Sequence, residues 1–174
     1  MAHPELRIGT VETPIGAFGA VWTPAGLARL TFPTEPLSNC EAWARRWEPQ
    51  ARVVRGSEGL KALALELNEY LAGSRTAFSL PLDLRGTEFQ QAVWQALLRI
   101  GYGETWAYAD VAAAIGRPAA VRAVGAAIGA NPVPVVVPCH RVIGKDGSLT
   151  GFGGGLPLKQ QLLALEKKTA HPRG

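Results

Sequence analysis

With 174 residues, 47% of them hydrophobic, the chain can build one large domain or two small ones and has an ordinary globular composition. No apolar run approaches the roughly 20 residues of a membrane span, and Met1-Ala2-His3-Pro4-Glu5 is no signal peptide; the expectation is a cytoplasmic protein with Cys40 and Cys139 reduced. The net charge of +4 is unevenly placed: residues 1–80 carry eight basic and eight acidic side chains, and residues 81–174 carry ten and six. A basic second half is compatible with nucleic acid as a partner.

In chain order, three apolar runs come first: Leu6 to Val11, Gly16 to Trp22 and Leu27 to Phe32. Thr13-Pro14-Ile15-Gly16 and Thr23-Pro24-Ala25-Gly26 separate them as turns, which predicts an antiparallel meander. Asn39 is placed to cap a short helix through Trp47, and Ala51 to Val54 reads as a further strand. A longer helix follows, with Leu60, Leu63, Leu67, Tyr70 and Leu71 on one face and Gly73 as its stop. Residues 81–86 read as a linker between an N-terminal α/β domain, 1–80, and a mainly α C-terminal domain, 87–168. Residues 169–174 read as a tail.

The second domain opens on a capping box, Thr87-Glu88-Phe89-Gln90, and its first helix turns Phe89, Val93, Leu97 and Ile100 inward until Gly101-Tyr102-Gly103. Thr105 to Ile115 and Ala119 to Gly129 then predict two short helices joined by Gly116-Arg117-Pro118, a helix-turn-helix pattern. In the second of these, Arg122 is the one long polar side chain among small residues, so the backbone could approach a groove closely while Arg122 projects. The Gly-rich stretch Leu149 to Leu156 lacks the spacing of a nucleotide fingerprint. Pro157 suits a first helical position, and Leu158, Leu162 and Leu165 face the core up to about Lys168.

The chemistry centres on residues 131–144. Val135-Val136-Val137 between Pro134 and Pro138 predicts a stiff, buried, extended segment that delivers a thiol and an imidazole at its end. A free thiol is mostly protonated at neutral pH, so a reacting cysteine needs a base nearby. His140 is adjacent, but neighbours on an extended chain point apart, so contact requires a turn at Cys139. Alone, a cysteine beside valines is more often a small buried hydrophobe.

Taken together, Arg122-Ala123-Val124-Gly125, Asn131-Pro132-Val133-Pro134, Val137-Pro138-Cys139-His140-Arg141-Val142-Ile143-Gly144 and Leu149-Thr150-Gly151-Phe152-Gly153-Gly154-Gly155-Leu156 closely resemble the O6-alkylguanine-DNA alkyltransferases. The resemblance is strong over residues 85–168. It implies a ribonuclease H-like first domain with a small antiparallel sheet, and a second domain with a winged helix-turn-helix-like DNA-binding motif. It implies direct-reversal repair: a flipped guanine loses its alkyl group, irreversibly and once, to Cys139. His140, held by Glu166, would activate the thiol through a water. Arg122 would fill the vacated stack, with Ala123, Gly125 and Ala126 against DNA. Tyr108 would crowd the phosphate and donate to a purine ring nitrogen. Asn131 would tie the helix-turn-helix to the active segment. Pro134, Val142, Phe152, Gly153 and Gly154 would line the base pocket.

The implied partner is double-stranded DNA carrying O6-alkylguanine, with O4-alkylthymine as a second candidate, bound by a monomer without a cofactor. Three departures from the family's pattern stand out. Ala107 replaces a capping Ser or Thr before the tyrosine, Phe152 replaces a Tyr, and only Cys40 and the distant His3 stand where some relatives hold zinc, so no metal is expected. Two other readings compete. Alkyltransferase-like proteins bind lesions without a cysteine, and a Cys-His hydrolase would turn over repeatedly.

Overall fold

The computed structural model describes residues 3–56 and 58–170, and the chain divides into two compact units, the first ending at Arg85 and the second beginning at Gly86. In the first unit, β1 (Glu5–Thr13), β2 (Gly16–Thr23) and β3 (Gly26–Thr31) form the expected meander. Gly26 at the second turn has φ +150°, and a Cβ there would lie 2.5 Å from the Pro81 carbonyl oxygen. The fourth strand, β4 (Arg52–Arg55), joins β1 in parallel, so the sheet, in order β3-β2-β1-β4, is antiparallel over its meander and mixed as a whole. A parallel partner needs a crossover rather than a hairpin. Here the crossover contains α1 (Ser38–Trp47).

Strand alternation distributes the core. Leu6, Ile8 and Val21 pack with Cys40, Trp43 and Ala44 of α1. The residues next to them in the strands, Gly9 and Trp22, meet Leu60 and Gly59 of α2 (Glu58–Leu71). The helices therefore cover opposite faces. Asn39 does not cap α1 as expected: it lies inside the helix, and its Nδ2 donates to Glu35 Oε1 at 3.1 Å. Residues 81–85 lie along β3. Leu27 N donates to Pro81 O and Asp83 N to Leu27 O, both at 2.9 Å, while Arg85 pairs with Asp83 and Glu48 and stands over the Trp43 ring.

The second unit begins with α3 (Glu88–Leu97), whose capping box is formed: Thr87 Oγ1 accepts from Gln90 N and Gln90 Oε1 from Thr87 N. Its Trp94 indole donates to Ala127 O at 2.9 Å, fixing α3 against α5 (Val121–Gly129). The expected helix from Thr105 is instead a two-residue strand, β5 (Trp106–Ala107), followed by α4 (Tyr108–Ala114). Trp106 and Ala107 pair in parallel with β6 (Val142–Ile143), and that pairing removes them from the helix. Ala107 has no capping side chain, yet Asp110 Oδ2 accepts its N–H at 2.7 Å, so half of a capping box survives.

The last helix, α6 (Leu156–Ala170), starts one residue before Pro157 and runs past Lys168, while residues 171–174 of the expected tail lie outside the described residues. None of the described helices is long and apolar enough to cross a membrane.

Candidate active site

The segment expected to be extended is a set of tight turns, although every residue from Asn131 to Val142 is buried as expected. Val135 has φ +73°, a region a β-branched residue enters only when its surroundings force it. Val137 N donates to Val133 O at 2.9 Å and Cys139 N to Val137 O at 2.7 Å, closing the chain on itself. Prolines at 132, 134 and 138 cannot donate, so the segment could not have served as an inner strand. Asn131, just past α5, staples the turns: its Nδ2 donates to Val137 O at 2.9 Å and its Oδ1 accepts from Val133 N at 3.0 Å. The turn required at the thiol is present as a single 3-10 turn, Cys139–Arg141.

Below that turn lies a buried charge cluster. His140 Nε2 and Glu166 Oε2 of α6 are 2.7 Å apart, and Glu166 also accepts from Arg141 Nε at 2.8 Å and Nη2 at 3.0 Å. The Gly103 N–H reaches Glu166 Oε1 at 3.3 Å. Gly103 has φ +80°, and a Cβ there would meet the Ala170 Cβ at 2.6 Å. Only glycine brings that N–H to the carboxylate. Arg141 Nη1 donates to Ile100 O at 2.7 Å. Lys159 of α6, 1% exposed, donates from Nζ to Val142 O at 2.6 Å and to Thr150 O at 2.8 Å.

These neighbours set the protonation states. Burial alone would raise the Glu166 carboxyl, but hydrogen bonds and charge from His140 and Arg141 hold it down to about 2. Burial lowers the His140 imidazole, and Arg141 and Lys159 reinforce this against the pull of Glu166. A neutral imidazole beside an ionised carboxylate must donate from Nε2, so Nδ1 carries the lone pair and is the basic nitrogen. Burial pushes the Cys139 thiol up; the Asn131 side chain, the Lys159 charge and the N–H groups of Cys139 and Val135 pull it back without cancelling the shift. At rest Cys139 is a protonated thiol, 7% exposed, that needs a base to react. Cys40, fully buried beside Thr31, is raised by burial too and is inert.

The remaining expected residues fall into two groups. Tyr108 opens α4, and its hydroxyl is 2.8 Å from Thr150 Oγ1 on the Gly-rich stretch. Pro134 is buried and bridged to Val137, Phe152 and Gly154 are half-buried, and Gly153 is exposed. The Val142 carbonyl receives Lys159, and its second lone pair can still accept another donor. Arg122, Ala123 and Ala126 are exposed on α5, opposite buried Val124, Ala127 and Ile128, while Gly125 is half-buried against the Tyr108 ring.

A Cβ at Gly125 would meet that ring at 3.9 Å, an ordinary contact. Gly125→Ala is therefore expected to stabilise α5 by about 0.5–1 kcal/mol through backbone entropy, visible as a higher melting temperature.

Sequence reasoning missed Arg141, Lys159 and Thr150 as parts of this cluster. Arg141 carried a signal, since it sits inside the buried segment. Lys159 carried only its place one turn before Leu162 on the inward face of the last helix. Among the described residues no group of three or more His, Cys, Asp or Glu is placed to hold a metal.

Two family models match the chain. The 6-O-methylguanine DNA methyltransferase ribonuclease-like domain covers residues 6–84, and the DNA-binding domain of the same family covers residues 88–168. The inducible methylated-DNA--protein-cysteine methyltransferase of Bacillus subtilis is 50% identical over 83% of this chain and 81% of its own. The methylated-DNA--protein-cysteine methyltransferase of Mycobacterium tuberculosis is 45% identical over 95% of this chain and 94% of its own. The crystal structure of Mycobacterium tuberculosis OGT in complex with DNA is similar with a TM-score of 0.80 and 42% identity, over 95% of this chain and 94% of that one.

Proposed function

The chain belongs to the 6-O-methylguanine DNA methyltransferase family, and we propose that it repairs duplex DNA by moving the alkyl group of an O6-alkylated guanine onto its own Cys139, once per molecule. The observation that carries this reading is the line Cys139, His140, Glu166. A buried thiol sits on a stapled turn, the next residue is a neutral imidazole, and an ionised carboxylate holds that imidazole at 2.7 Å. Fixed alignment of nucleophile and base supplies much of the rate in a displacement.

The steps follow from those states. In a stacked duplex the alkyl carbon at O6 cannot reach a thiol buried in the protein, so the nucleotide must rotate out, at a cost of a few kcal/mol. Exposed Arg122 enters the vacated stack, and the small residues around it let α5 come close to the groove. His140 Nδ1 takes the thiol proton through one bridging water while Glu166 keeps the ring oriented. The thiolate attacks the alkyl carbon in line with the carbon–oxygen bond; the S–C bond forms, the C–O bond breaks and its electron pair goes to the base. The Gly153 N–H offsets charge at that oxygen, the Tyr108 O–H donates to a ring nitrogen, and released guanine regains a proton. Pro134 and Phe152 sandwich the base, with the Cys139 and Val142 carbonyls facing its amine. Grip through phosphate and groove shape implies broad tolerance of sequence. A nucleophile used as a free thiol supports a reducing, cytoplasmic location.

The deciding experiment is to mix the protein with duplex DNA bearing O6-methylguanine and weigh it. One methyl mass on the Cys139 peptide is expected. Unchanged mass with retained lesion binding would instead favour a lesion-binding protein, and repeated ester turnover would favour a hydrolase.

Arg122→Ala is expected to slow transfer from duplex on the order of tenfold, because the cost of extrusion is no longer offset. Transfer from methylated guanine in single-stranded DNA should change less than about twofold, since no stack has to be filled. Single-turnover rates on the two substrates check this.

A further inference from the structure

Thr150 joins two parts of the second unit through two different groups. Its backbone carbonyl accepts from the buried Lys159 ammonium at 2.8 Å, and its hydroxyl lies 2.8 Å from the Tyr108 hydroxyl. Lys159 simultaneously donates to Val142 O at 2.6 Å, so the Gly-rich stretch is anchored at Thr150 to the strand that follows Cys139-His140-Arg141. Upstream, Gly144 N donates to Ser148 O at 2.7 Å and closes the intervening turn. Thr150 is thus a held residue in a stretch otherwise rich in glycine, and its side chain points at the one aromatic hydroxyl assigned to the substrate base.

We propose that Thr150 is a positioning residue for alkyl transfer, one that presents the Tyr108 hydroxyl to the extruded base; the inference rests on the reading of function given above. The physical reason is an exchange of donor roles. In the free protein the two hydroxyls share one hydrogen bond, in which the phenol can donate and Thr150 Oγ1 accept. When a base nitrogen takes the phenol proton as a hydrogen bond, the phenol oxygen needs a donor, and the Thr150 hydroxyl supplies it by rotating. A threonine can serve in both states, a serine can as well, and a valine in neither. Donation from Thr150 also polarises the Tyr108 O–H and strengthens it toward the base as the displaced electron pair arrives. Thr150 touches no reacting atom in this scheme and acts only through Tyr108.

The test is a double-substitution comparison read as single-turnover methyl transfer from duplex DNA bearing O6-methylguanine. Thr150→Val keeps the branched shape and the carbonyl that binds Lys159 but removes the hydroxyl. With Tyr108 intact it should lower the saturating rate constant about three- to tenfold, the loss of one net hydrogen bond. The half-saturating DNA concentration should move less than about twofold, because phosphate contacts dominate binding. Thr150→Ser should restore the rate to within about twofold, because a serine hydroxyl can both accept from the phenol and donate to it. In a Tyr108→Phe background, Thr150→Val should change the rate by less than about 1.5-fold, because coupled residues are not additive. A wild-type rate for Thr150→Val overturns the inference, and so does an equal loss in both backgrounds, which marks a merely structural residue. A wild-type protein that gains no methyl overturns the underlying function and the inference with it; transfer by the wild type with an unchanged Thr150→Val overturns the inference alone.

Discussion

Cys139→Ala is expected to abolish alkyl transfer, the largest change any single substitution in this chain should produce. No other described group can replace the thiol: Cys40 is fully buried in the other unit, and burial raises its pKa. A serine would not rescue the reaction, because a hydroxyl is far harder to ionise than a thiol and His140 is a neutral imidazole of lowered basicity. The fold should survive. Removing one sulfur from a 7% exposed side chain costs about 1 kcal/mol, similar to deleting a buried methyl group. Lesion binding should persist, since exposed Arg122 and the small face of α5 are untouched. The measurement is paired: intact mass after incubation with O6-methylguanine duplex, and mobility of the same DNA. A methyl adduct on the variant would remove Cys139 from its role.

Glu166→Gln carries the second large effect, on stability and rate together. The substitution removes the charge that pairs with Arg141, a residue 8% exposed and bonded to Glu166 by two guanidinium nitrogens. Leaving a buried cation without its partner costs about 3–5 kcal/mol. The pH dependence identifies the group. A carboxyl lowered from 4.5 to about 2 contributes stability that is fully present above pH 4.5 and is lost as pH falls toward 2. That amounts to about 3 kcal/mol.

His140 adds to acid sensitivity from a higher pH. Its folded pKa lies below the ordinary 6.5, so the unfolded chain binds a proton first and stability declines as pH drops below that value. Glu166→Gln should therefore flatten the unfolding curve between pH 4.5 and about 2 while keeping the decline that begins near 6.5. Urea unfolding across pH 2–8 checks it, and an unchanged acid slope would assign the titration to another carboxyl. Methyl transfer should also slow about 10–100-fold, because the imidazole loses the partner that orients it.

Much of the molecule was readable from local sequence, for identifiable reasons. The two turns of the meander follow from Pro and Gly at fixed offsets, and the capping box at Thr87 and Gln90 is a four-residue signal that the structure realises bond for bond. Cys139 and His140 stand out as candidates only when Pro138-Cys139-His140-Arg141 is taken with the other motifs, and Arg122 as a candidate because it is the lone long cation among small residues. Local signals failed wherever two distant segments compete for the same backbone. Trp106 and Ala107 read as the start of a helix until β6, 36 positions later, takes their peptide groups. Val135 reads as strand until the prolines and Asn131 close the chain around it and force a positive φ.

What the sequence determined by itself was therefore the periodic elements and the candidate residues they carry, because helices, hairpins and caps are decided within a few residues. Only the tertiary structure decided which charges are buried. Lys159 looks like a surface cation in the chain and Arg141 is marked only by its place in the buried segment; the burial of both depends on partners far along the chain: Glu166 is 25 positions from Arg141, and Val142 is 17 from Lys159. A cation leaves water only when such a partner is already in place. Those cations hold Glu166 ionised and reinforce the neutral imidazole, while burial itself keeps the Cys139 thiol protonated, and no local pattern contains either.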